Sequence, residues 1–180
     1  MKAKIAALAS TLLLSSPAPA AEKTELPQGE VKGVDAPLCK LISMHVVENA
    51  HANFDHFSPL RTGVFFTHPL AKDVVLDCSS RLFLSLYIST SSPYPNDLWF
   101  SFAAEAGRAI STTTAQVVED ALRRCHKQAL ADQSGIGMAQ IPGAELDCQI
   151  WMDIPSFSVS VFLRDEINNK IFGDNLHQDQ

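Results

Sequence analysis

The chain has 180 residues, 46% of them hydrophobic and 19% charged, with 14 lysines and arginines against 20 acids and a net charge of −6. That length suits one domain with a single core. The negative field repels phosphate backbones and anionic lipid surfaces, which sets nucleic acid and membrane surfaces aside as partners.

Residues 1–20 have the three zones of an export signal: Lys2 and Lys4, an apolar run from Ile5 to Leu14, and the small-residue end Ser15-Ser16-Pro17-Ala18-Pro19-Ala20. Cleavage is expected after Ala20. The apolar run is far shorter than the ~20 residues that span a bilayer, and no cysteine stands at its end to carry a lipid, so no membrane anchor is expected. The leader has a bacterial style, which points to a periplasm or the cell exterior. Its removal takes two lysines and no acid, so Lys+Arg falls from 14 to 12 against 20 acids and the charge moves from −6 to −8.

Residues 21–36 are polar, rich in Pro and Gly and without apolar period, and read as a flexible entry to a single domain over 37–167. Within it, Val46, Val47, Ala50, Phe54 and Phe57 recur at helical spacing and predict a helix near 43–57, stopped by Ser58-Pro59. Val74 to Cys78 and the alternation of Leu82, Leu84, Leu86 and Ile88 predict strands. After the turn-rich stretch Thr90 to Asp97, Leu98, Phe100 and Phe102 alternate with Trp99, Ser101 and Ala103. This predicts a second strand of a long-looped hairpin.

Residues 113–130 carry the stripe Val117, Val118, Ala121, Leu122, Cys125 and Ala129 opposite a charged face, the pattern of a long amphipathic helix. Thr113 with Gln116 fits a capping box, and Gly135 and Gly137 follow the helix end. Ile150, Met152 and Ile154, then Phe157, Val159, Val161 and Leu163, predict two further strands around Pro155. Links this short do not permit parallel crossovers. The expected fold is α+β: an antiparallel sheet covered by the 113–130 helix, with a second helix near 43–57. The tail 168–180 is polar and expected to fray.

Cys39, Cys78, Cys125 and Cys148 make an even count in an exported chain, which predicts two disulfides; four cysteines allow three pairings. None belongs to a CxxC pair, so a zinc knuckle and a thioredoxin-like site lack their spacing. Leu76-Asp77-Cys78 and Leu146-Asp147-Cys148 match in three positions, too few to establish a duplication.

Phe83, Tyr87, Trp99 and Trp151 fall opposite the apolar face of their strands, and Tyr94 lies in the long loop; exposed together they would form a binding platform. Under a covering helix they would be a second core layer. His45, Glu48 and His56 are the nearest approach to a metal site, with His51 pointing aside and no HExxH motif. There is no GxSxG elbow, and Gly135-Ile136-Gly137 lacks the third glycine of a phosphate cradle. These features favour an exported, soluble, non-catalytic binding protein of the bacterial envelope that recognises a basic protein partner, in the general manner of inhibitors and immunity proteins, with no cofactor. The alternative is a zinc-binding protein or metal-dependent hydrolase using His45, Glu48 and His56.

Overall fold

A computed structural model describes residues 31–164. The expectations for residues 1–20, 21–30, 165–167 and the tail 168–180 fall outside the described residues.

The first helix, α1 (Pro37–Ala50), starts at a proline whose missing N–H suits the first helical turn, and ends where His51 turns left-handed at φ 53°. It buries Leu38, Cys39, Ile42, Val46 and Ala50, an i, i+4 stripe. The expected helix near 43–57 therefore lies earlier. The spacing that carried it past Ala50 joined two elements, because Phe54 and Phe57 belong to strand β1 (Asn53–Phe57) with their ring centroids 4.9 Å apart. The entry segment also differs from its expected flexibility over 31–36. Val31, Val34 and Ala36 are buried, and Gly33 and Val34 donate backbone hydrogen bonds to Cys78 and Arg61.

β2 (Gly63–Thr67), β3 (Asp73–Asp77) and β4 (Ser85–Thr90) follow as an antiparallel meander from β1. The chain then leaves the sheet. The expected hairpin strand over 98–102 is instead helix α2 (Asp97–Gly107). Asn96 caps it, its side-chain oxygen accepting from the Trp99 backbone N–H at 2.9 Å, and Ala103, Ala104 and Ala106 continue it. Tertiary burial overrode an alternation only three apolar residues long.

α3 (Ala115–Ala131) matches the expected long helix and buries Val118, Ala121, Leu122, Cys125 and Ala129. Its cap is Thr114 rather than Thr113, and Gln116 reaches Asp120 instead of closing a capping box. Arg123 ties α3 to α2, meeting Asp97 at 2.9 Å and Glu119 at 2.7 Å with its guanidinium 4.5 Å from the Phe100 ring centroid.

β5 (Ile136–Ile141), β6 (Ala144–Trp151) and β7 (Ser156–Leu163) complete a seven-stranded antiparallel sheet in the order β1-β2-β3-β4-β7-β6-β5. The alternation expected to run on through Met152 and Ile154 stops at Trp151, and both residues are exposed in the turn. Gly137 belongs to β5, not to the helix end. A Cβ there would run into the Cys125 carbonyl oxygen and lie 2.8 Å from the Ala129 nitrogen, so only glycine lets α3 settle onto the strand.

The fold is thus α+β, with an antiparallel sheet, three helices and two disulfides among the described residues. The bridges are Cys39–Cys78 and Cys125–Cys148, and each fastens a helix to the sheet, α1 just past β3 and α3 at β6. Each Leu-Asp-Cys stretch has the same part to play: its cysteine faces the helices and its aspartate faces away.

Candidate functional site

Period-2 alternation gives the sheet two unlike faces. Val64, Phe66, Val74, Leu76, Leu86, Ile88, Leu146, Val159 and Val161 are buried on one face. Both disulfides attach helices to that side, and α2 packs between α1 and α3. The opposite face has no helix over it among the described residues. Register places one row across it: His56, Phe65, Val75, Tyr87, Ser160, Asp147 and Met138. The His56 and Phe65 rings stack with centroids 4.4 Å apart.

Charge is segregated along with polarity. The seven strands contain Asp55, Asp73, Asp77, Glu145 and Asp147 but neither lysine nor arginine. Arg123, Arg124 and Lys127 lie instead on α3. Glu145 is held by Arg164 at 3.1 Å, and Asp73 accepts from the Ser89 hydroxyl at 2.7 Å. Asp147 has no such cation among the described residues. Its Oδ1 is buried without a hydrogen-bond partner among the described residues, and burial, then the neighbouring Glu145 charge, push its pKa above the ordinary value of 3.8. Among the described residues the face is therefore apolar and aromatic in its middle and net negative, with more acids than cations.

At one end of the sheet lies a cleft of about 340 Å³, lined by Tyr94, Leu130, Asp132, Trp151, Met152 and Asp153 among others. Tyr94 is 62% and Trp151 60% exposed. Trp151 ends β6 on the parity of Glu145, Asp147 and Gln149, so the cleft adjoins the open face. Asp132 caps α3 and is bonded by the backbone N–H of Ser134 at 2.7 Å and by the Ser134 hydroxyl, which hold its carboxyl below the usual range.

The five aromatic candidates separate. Tyr94 and Trp151 share the cleft, Tyr87 stands 36% exposed on the open face, and Phe83 is 59% exposed in the loop before β4. Trp99 does not join them. It is 2% exposed inside the helical layer, its ring edge-on to Phe157 at 5.1 Å and to Phe100 at 5.4 Å, and so it belongs to the core. The metal-capable residues also fall apart: His45 and Glu48 lie on α1, while His56 lies on β1 beyond the break at His51. His56 bonds Asp55 through Nδ1 at 2.9 Å, and no group of three His, Cys, Asp or Glu side chains is placed to share an ion among the described residues.

Phe65, Val75, Asp147, Asp132 and Asp153 were not among the sequence candidates. Asp147 could have been found, because it alternates with Trp151 on a period-2 strand. Asp132 and Tyr94 meet only through tertiary folding. No protein-family model matches this chain, and no curated protein or solved structure matches it either.

Proposed function

We propose that this protein is an exported, non-catalytic binding protein that captures a basic protein on the uncovered face of its sheet. One observation carries the reading: among the described residues, a seven-stranded sheet with helices on one side only, whose strands hold five carboxylates and no lysine or arginine. A half-apolar surface with an excess of acids suits a partner that brings cations and an apolar centre. The two disulfides and the leader-like first twenty residues support an oxidising envelope compartment as the place of work. No helix of the described residues is long and apolar enough to cross a membrane.

The test is affinity capture from envelope extract, followed by titration of each purified captured protein against wild type and two variants. The partner is expected to be basic, to bind more slowly as salt rises, and to lose at least about tenfold in affinity to Tyr87→Ser combined with Asp147→Asn. Arg124→Ala, on the helical side, is expected to leave binding unchanged. Partners that are acidic, or that ignore the sheet-face variant, would overturn the reading.

A further inference from the structure

The cleft beside the open face has a chemistry of its own. Two aromatic rings stand at it, Tyr94 from the loop before α2 and Trp151 from the end of β6, each more than half exposed. Leu130 and Met152 supply further apolar wall, and Asp132 and Asp153 supply carboxylates. The electron-rich face of an indole or phenol attracts a cation, and the attraction grows when the surroundings exclude water.

The helix that ends here adds to the field. The 17-residue α3 ends at the cleft wall, where Ala129, Leu130 and the cap residue Asp132 stand, and brings the negative end of its dipole there. Such an end is commonly balanced by a lysine, arginine or histidine in the last turn. α3 has none there. The Ser134 hydrogen bonds keep Asp132 ionised, so the wall stays negative down to acidic pH. Neither Asp132 nor Asp153 takes part in an ion pair among those found in the described residues, while Asp35, Asp97, Glu119 and Glu145 all do.

We infer that this cleft is the seat of an arginine side chain from the captured protein, its guanidinium held between the Tyr94 and Trp151 rings and facing the Asp132 and Asp153 carboxylates. A guanidinium fits better than an ammonium. It is planar, stacks on aromatic faces, sheds water more readily, and presents a fork of N–H donors to carboxylates. The open sheet face would then supply area and steering, and the cleft the buried anchor at its margin. This inference rests on the binding-protein reading for the source of the arginine, but not for the chemistry of the cleft.

The test uses the full chain and capped tripeptides, acetyl-Gly-Xaa-Gly-amide, followed by NMR of the indole N–H groups. The chain has only two tryptophans, and Trp99 is buried, so the exposed indole reports the cleft. The arginine peptide should shift the Trp151 signal saturably. The citrulline peptide, equal in shape and without charge, should bind at least about tenfold more weakly, with lysine between the two. Asp153→Asn and Tyr94→Ser should each weaken the arginine peptide several-fold, and Tyr87→Ser should not.

Equal binding of arginine and citrulline, or no saturable shift, would overturn the inference. Tighter binding of spermidine than of the arginine peptide would also overturn it, assigning the cleft to a free polyamine. The two readings fail separately. Loss of peptide binding with sheet-face capture intact removes the anchor alone, whereas peptide binding without capture of any basic protein removes the proposed function and leaves the cleft's preference standing.

Discussion

The edge of the Trp99 indole meets the Phe157 ring at 5.1 Å, with 61° between their planes, where α2 crosses the inner face of β7. His126 of α3 closes on the same Phe157 ring at 4.7 Å, and its Nε2 lies 2.8 Å from the Pro93 carbonyl. Three elements thus converge on one aromatic cluster, which pins α2 and α3 to the sheet.

Trp99→Ala is therefore expected to cost about 3–5 kcal/mol, the range for emptying a large aromatic site in a core. Trp151→Ser, at an exposed site, should change stability by no more than about 0.5 kcal/mol. Denaturant titration of the two variants separates the roles. A mild effect of Trp99→Ala would show that the cluster is not the fastening of the helical layer.

His68 stacks on Phe102 with centroids 3.8 Å apart and planes within 2°, and its Nδ1 accepts from the Leu70 backbone N–H at 3.2 Å. Burial, and then the nearby His51 charge, lower its pKa from 6.5. The unfolded chain binds this proton more readily than the fold does. Its contribution is therefore complete above pH 6.5 and is lost as pH falls below that value toward the folded pKa. Thermal melts at neutral pH and near pH 5 should show a smaller loss for His68→Gln than for wild type.

Asp147 has the opposite sign. Its raised pKa means that the fold prefers the neutral acid, so its contribution is complete below 3.8 and is lost as pH rises through the folded value. Asp147→Asn is expected to raise the melting temperature at neutral pH and to leave it unchanged near pH 3. The same variant should weaken capture of a basic partner. An acid retained at a cost to stability would then have its explanation in binding.

Cys125–Cys148 closes a loop of 23 residues between α3 and β6, next to the close approach at Gly137. Replacing both cysteines by alanine should remove on the order of 3 kcal/mol by the chain-entropy argument. Gly137→Ala should damage the same helix–sheet contact by forcing backbone apart. Hydrogen exchange over β5 and α3, compared with β2 and β3, should show the loss concentrated on that side of the sheet.

Much of this was legible in the residues themselves. The α3 stripe around Val118, Leu122 and Cys125, the alternations Leu84-Leu86-Ile88 and Phe157-Val159-Val161, and the even cysteine count are local patterns. Each reports its element because period and side-chain direction are set within a few residues. Where two patterns overlapped, the local signal misled. Val47, Ala50 and Phe54 kept a helical spacing across the turn at His51, and Leu98, Phe100 and Phe102 alternated although Asn96 and the alanines that follow make a helix.

The amino-acid order by itself determined which segments were apolar on one side, that the charge was negative and that cysteines would be joined. Only the folded chain decided which cysteines met, that Trp99 was core while Trp151 was surface, and that α1, α2 and α3 lay on one face of the sheet. An aromatic residue has the same chemistry in a core or at a binding surface, and what packs against it comes from segments distant in sequence. The meeting of Tyr94, Asp132 and Trp151 around one cleft is such a long-range event, beyond the reach of any pattern within a single strand or helix.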